Sequence, residues 1–137
     1  MRFAAGPKPD AFKRICPSGP VLARLGEKWA LLALVALKDG VVRFGVLQRR
    51  LEGVSQKMLT QTLRRLERDG LVLRRSSDGH PIKVEYTLTD RGLGLVPVVL
   101  ALKGWAENNL HDIAASNATY DARRPVARRR ALRSASG

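Results

Sequence analysis

The sequence predicts a mainly α-helical domain carrying one small β-hairpin. Three observations predict it. Apolar residues recur at helical spacing in 28–38, in Phe44, Leu47 and Leu51, and in Leu59, Leu63 and Leu66. Glycines stand where these runs end, at Gly40, Gly53 and Gly70, and Ser55 stands at the N-cap position of the last run. After Gly70 the period changes to two, in Val84, Tyr86 and Leu88, with the turn signal Asp78-Gly79 before them. Helix, tight glycine turn, capped helix and hairpin, in that order, make a winged helix-turn-helix.

The elements follow along the chain. Residues 1–15 carry Gly6, Pro7 and Pro9 and read as a loose arm. Ser18 is placed to cap a short helix over 18–25, with Val21, Leu22 and Leu25 on one side, and Gly26 interrupts it. KWALLALVALK, 28–38, is apolar around most of its circumference and reads as the central buried helix, ended by Asp39-Gly40. VVRF, 41–44, reads as a short strand or entry segment. The helix bearing Phe44, Leu47 and Leu51 stops at Gly53, and Val54 plugs the core at the turn. The capped helix runs from Ser55 to Gly70. LVLRR, SSDGHP and IKVEYTL then read as strand, turn and strand, the wing. Thr89 is placed to cap a final helix, TDRGLGLVPVVLALKGWAENNLHDI, in which Pro97 removes one backbone donor and is expected to introduce a kink. That helix is apolar on nearly every side, which asks for more cover than a small domain supplies. A second copy of the chain provides it, over Leu93, Val96, Leu100 and Trp105, joined by Phe12, Ile15 and Val21. The domain thus spans 16–113. Residues 114–137, rich in Ala, Arg and Ser, are expected to be a disordered basic tail.

Charge and composition narrow the function. In 137 residues, 25 Lys and Arg face 12 Asp and Glu, a formal net charge of +13. A chain this basic, in its body as well as its tail, points to a polyanion such as nucleic acid. The single cysteine, Cys16, excludes an internal disulfide and suits a reducing cytoplasm. No signal-peptide core is present at the N-terminus, and the longest apolar run, 93–102, is too short to span a bilayer. No membrane role is therefore expected. An enzyme is excluded on similar grounds. The only histidines are His80 and His111, no glycine-rich phosphate loop occurs, and Glu52, Glu67, Asp69 and Asp90 read as helix charges. No catalytic residue, metal ligand or cofactor is assigned.

The polar side of the capped helix is more specific. At about 100° per residue, Leu59, Leu63 and Leu66 share the core side. Lys57, Thr60, Gln61, Arg64 and Arg68 gather opposite, with Ser55 and Gln56 at the N-terminal end. In a helix-turn-helix the early residues of the second helix enter the major groove. Arg and Lys suit guanine O6 and N7, Gln suits adenine N6 and N7, and Thr can touch a thymine methyl. Arg43, Arg74, Arg75 and Lys83 are expected to contact the DNA backbone, and His80 stands at the wing tip. A nucleoid-type binder without an operator, or a winged helix used as a protein-interaction module, is the competing reading. A pure backbone binder has no use for paired Gln and Thr on the exposed face.

CPSGPVLARLGEKWALLAL, RFGVLQRRLEGVSQKMLTQTLRRLERDGLV and VEYTLTDRG, in that order, resemble the HxlR-type winged helix-turn-helix transcription regulators, relatives of the MarR group. The likeness covers 16–105. It implies a bacterial, cytoplasmic, DNA-binding homodimer that represses or activates nearby genes through a pseudo-palindromic operator. It implies dimer contacts from the N-terminal and long C-terminal helices. Gly45 and Val46 depart from the family pattern, and the Arg-rich tail lies outside it. Cys16 matches a cysteine that several members use to sense electrophiles or oxidants, so a small-molecule or electrophile effector is a further partner the resemblance implies. Arg14 and Lys13 beside it are expected to favour the thiolate. A small buried side chain at the dimer contact is the alternative role for Cys16.

Overall fold

A nine-residue helix with almost no polar side packs against its neighbours on most of its circumference, and in α2, Lys28–Ala36, Ala30, Ala33 and Leu34 are buried while Trp29, Leu31, Leu32 and Val35 are half-buried against the core. The computed structural model describes residues 8–16 and 18–123. Ahead of α2 lies α1, Ser18–Leu25. After it come β1, Val42–Arg43; α3, Phe44–Arg50; α4, Gln56–Arg68; β2, Val72–Ser76; β3, Val84–Leu88; and α5, Asp90–Arg123. Two compact units divide the chain, one ending at Val99 and one beginning at Leu100.

In the first unit, Ala33, Leu34 and Leu37 are buried against Leu47 of α3, Leu59 and Leu63 of α4, and Val72 of β2. Each partner comes from the apolar stripe its own sequence period defines. The turn between α3 and α4 is made as the sequence predicts. Gly53 takes φ +93°, the left-handed region open to glycine. Val54 is buried, and the Ser55 hydroxyl accepts a hydrogen bond from the Met58 amide at 3.0 Å. Arg43, the N-cap residue of α3, makes no side-chain cap bond. At the far end of α4, Leu71 N–H donates to the Leu66 carbonyl (2.9 Å) and Gly70 N–H to that of Glu67 (3.0 Å). This is the paired-bond ending that a glycine in the left-handed region permits.

The entry segment proves to be a strand. β1 pairs antiparallel with β3, Val42 opposite Tyr86, and β2 pairs on the other side, Arg74 also opposite Tyr86. The wing is therefore a three-stranded sheet in the order β1-β3-β2. Thr89 caps α5 as predicted. Its hydroxyl accepts from the Gly92 amide (3.1 Å) and donates to the Gly70 carbonyl (2.6 Å). Gly92 is required there, because a Cβ on it would collide with the Leu71 carbonyl.

Two expectations are corrected. The final helix does not give way to disorder at residue 114, since α5 continues to Arg123. Ala-rich sequence without Gly or Pro propagates a helix once it is nucleated. Side chains bonding back to the carbonyl four residues earlier accompany it, Asn109 to Trp105 (2.9 Å) and Thr119 to Ala115 (3.0 Å). The remaining tail lies outside the described residues, as do residues 1–7 of the arm. Residues 8–15 form exposed turns. Val96, predicted to face a second copy, is instead 8% exposed and packs with Val99 in the chain's own core. The all-round apolar character of this helix hid which of its valines its own domain already covers.

Candidate nucleic-acid interface

Four buried residues, Leu59, Thr62, Leu63 and Leu66, fix which way α4 faces. A helix repeats every 3.6 residues, so Lys57, Gln61, Arg64 and Arg68 then point away from the core. Lys57, Arg64 and Arg68 are exposed, as are Ser55 and Gln56, while Thr60 and Gln61 are half-buried. The Thr60 hydroxyl donates to the Gln56 carbonyl at 2.8 Å, which leaves it an acceptor and a methyl group for other contacts.

Beside this face lies a groove of about 850 Å³ between α4 and the sheet. Arg43, Gln56, Thr60, Arg64, Arg74 and Lys83 line it. Its apolar wall includes Phe44 and Tyr86, whose rings lie 6.4 Å apart and tilted by 49°. Six of the sequence-predicted residues are thus brought together. Lys57, Gln61 and Arg68 stand on the outward face next to the groove. Arg75 does not join, because neighbouring strand residues point to opposite sides, so Arg74 lines the groove and Arg75 does not. His80 is exposed at the wing tip.

The charges are sorted. Among the described residues, Lys57, Arg64, Arg68, Arg74, Arg75 and Lys83 make no ion pair, and Arg43 lies 3.9 Å from Glu85. The acids around α4 are engaged on its other flank, Glu27 with Arg65 (3.2 Å) and Asp69 with Arg24 (2.9 Å). Glu67 is the carboxylate in the groove lining. The result is an outward face of α4 on which Lys57, Arg64 and Arg68 make no ion pair among the described residues, beside a groove lined by four cations and one carboxylate, Glu67. Phe44, Ile82, Glu67 and Tyr86 were not singled out from sequence as part of this site. Phe44 and Tyr86 are brought together by the pairing of Val42 with Tyr86, a register no local sequence signal carries, whereas Glu67 shares the face of α4 that carries Thr60 and Arg64, which its spacing could have shown.

Cys16 is half-buried, its Sγ 3.0 Å from the Ser18 hydroxyl. The Ser18 hydroxyl first, and the Ser18 amide next, hold the thiol pKa below its ordinary value, against partial desolvation and the Asp10 carboxylate. The predicted cause was different, since Arg14 and Lys13 contribute nothing resolvable to this shift. Ser18 itself begins α1, and its hydroxyl engages Cys16. Of the residues expected to meet a second copy, Phe12 is 99% and Ile15 91% exposed, and Val21 and Leu93 are exposed as well. In the second unit Leu100 and Trp105 are exposed, with Leu110 and Ile113. No helix among the described residues is long and apolar enough to cross a membrane.

A capped second helix presenting unpaired cations and amides, flanked by a three-stranded wing, defines a winged helix-turn-helix DNA-binding protein of the transcription-regulator class. The chain belongs to the HxlR-like helix-turn-helix family, whose model matches residues 24–114. It is 43% identical over 106 residues to the uncharacterized HTH-type transcriptional regulator YtfH of Escherichia coli K12, covering 77% of this chain and 84% of that one. The solved structure of YtfH from Salmonella typhimurium is 43% identical with a TM-score of 0.75, over 80% of this chain and 98% of that one. The redox regulator HypR in its oxidized form is 41% identical with a TM-score of 0.62, over 69% and 97%.

Proposed function

We propose that the chain is a bacterial, cytoplasmic regulator that binds a pseudo-palindromic operator as a homodimer and reads its sequence with α4. The unpaired cations on the outward face of α4 carry this reading. Cations on a solvated surface are ordinarily interleaved with acids, whereas here two of the nearby acids, Glu27 and Asp69, are tied behind the helix and Glu67 alone stands in the groove beside four cations. Lys57, Gln61 and Arg64 serve as the base-reading residues. Arg43, Arg74 and Lys83 in the groove hold the phosphate backbone. The exposed apolar residues of α5 and of the N-terminal segment form the dimer contact, which sets two recognition helices about 34 Å apart, or a multiple of that.

Selection of duplexes from a random pool by the full-length protein, followed by footprinting beside its own gene, tests the reading. The expected product is an inverted repeat. A pool in which nothing is enriched overturns operator recognition and favours a general nucleoid binder. Light scattering at micromolar concentration is expected to give a dimer, and Leu100→Glu a monomer or insoluble protein. A monomeric wild type refutes the dimer.

Cys16 serves in this reading as the effector site. Its half-buried thiol with lowered pKa supports that role, as does similarity to a protein described as a redox regulator. A quinone, hypochlorite or an aldehyde is expected to release DNA from wild type and not from Cys16→Ser. A wild-type complex that survives while Cys16 is modified excludes the sensor.

A further inference from the structure

The C-terminal end of α4 is gripped from two directions. From one side Arg24 of α1 reaches Asp69, 45 residues away, with Nε donating to Oδ2 at 3.0 Å and Nη2 to Oδ1 at 2.9 Å. Beside it Arg65 of α4 meets Glu27, just ahead of α2. From the other side Thr89 donates to the Gly70 carbonyl and Arg91 to that of Asp69. Asp69 is the C-cap of α4, and the strand of the wing begins three residues later.

A carboxylate is a poor choice here for stability. The C-terminal end of a helix carries partial negative charge, so an acid there is unfavourable by itself. A neutral C-cap would avoid both the acid and the need for its partner. What the pair adds is orientation. A two-point guanidinium–carboxylate contact fixes an angle as well as a distance. The pair is also partly shielded, its side chains 35% and 20% exposed, which sets it apart from the exposed Lys38–Asp39 contact.

Orientation matters at this end because of leverage. A helix of 13 residues is about 20 Å long, so a tilt of about 3° at its C-terminus moves its first turn by about 1 Å. Hydrogen bonds to base edges tolerate less than that. We propose that Arg24 is a positioning residue for DNA recognition, its pair with Asp69 setting the angle of α4 and so the register of Lys57, Gln61 and Arg64 on the bases. The inference rests on α4 being the base-reading helix.

The test measures affinity for a duplex enriched by wild type from a random pool, against a shuffled duplex, for full-length Arg24→Gln, Arg24→Lys and the swap Arg24→Asp/Asp69→Arg. Arg24→Gln is expected to lower the enriched-to-shuffled ratio roughly two- to thirty-fold, the range for residues acting on a site without touching its ligand. Arg24→Lys recovers part of it and the swap most of it. The salt slope stays that of wild type, because Arg24 touches no phosphate. A folded Arg24→Gln protein with an unchanged ratio overturns the proposal. So does a slope reduced by about one, the mark of a lost phosphate contact. If Arg24→Gln does not fold, the swap decides: folded with the wild-type ratio it supports positioning, and folded without it the idea falls. Lys57→Ala and Gln61→Ala that keep the wild-type ratio would instead show that α4 does not read bases, a failure of the underlying reading.

Discussion

Thr62 sits on the core side of α4 at 1% exposure, and its hydroxyl is the buried side-chain polar atom without a hydrogen-bond partner among the described residues. A buried, unsatisfied hydroxyl costs about 1–3 kcal/mol of desolvation. Thr62→Val replaces it with a methyl group of nearly the same shape. Helix propensity barely distinguishes the two residues, so the polar term decides the sign. The variant is expected to be more stable by about 1 kcal/mol, the low end of that range because Val cannot reproduce the site atom for atom. In a domain of this size that raises Tm by about 4 °C. Urea unfolding followed by circular dichroism measures it, with an unchanged m-value as the check that only the folded state has altered. DNA preference should be that of wild type, since Thr62 faces away from Lys57 and Gln61. A loss of about 1 kcal/mol would show that the hydroxyl is satisfied, by a buried water or by a backbone carbonyl of its own helix, and would refute the reasoning.

Other consequences follow from the same geometry. Gln61→Ala and Lys57→Ala should each cost about 1–3 kcal/mol of operator preference if the contact is bidentate; equal loss on operator and random DNA counts against direct readout. Arg74→Ala should weaken all sequences alike and lower the salt slope by about one, with a smaller effect for Arg75→Ala, which is outside the groove. Gly92→Ala forces a Cβ against the Leu71 carbonyl and should destabilise by about 1–3 kcal/mol; wild-type unfolding would mean the start of α5 can shift. Ser18 holds the Cys16 thiol below its ordinary pKa, so wild type should be alkylated by iodoacetamide at lower pH than Ser18→Ala, whose rate profile moves up in pH. Superimposable profiles would remove Ser18 as the cause.

Much of the fold was legible because each element carries its own punctuation. Ser55 and Gly53 mark the turn, Thr89 marks the start of α5, and the Leu59–Leu63–Leu66 stripe orients α4 without reference to anything else in the chain. What could not be read was non-local. β1 is two residues long, too short to carry a period of its own, and it pairs with β3 more than 40 residues further along the chain. The groove wall formed by Phe44 and Tyr86 follows from that pairing. Val96 and Leu100 look alike in an apolar run, yet one is buried in its own domain and the other is exposed. The Ala-rich continuation to Arg123 buries little, so its composition suggested disorder where helix propensity prevailed.

Charge alone would not make a selective regulator. A phosphate contact raises affinity for operator and random DNA by the same factor, so the cations of the groove cancel from the ratio that matters for regulation. Discrimination has to come from side chains held in register with base edges, the task the proposed reading gives to α4. Its first turn is capped by Ser55, four of its residues are locked in the core, and its end is closed by Gly70. Two nearby acids, Asp69 and Glu27, are used behind it, to tie it to α1 and to the start of α2. The same carboxylates thus do two things. Withheld from the outward face, they leave Lys57, Arg64 and Arg68 unpaired, and placed behind the helix, they would, on the proposed reading, hold Lys57, Gln61 and Arg64 still enough for a base pair to be chosen.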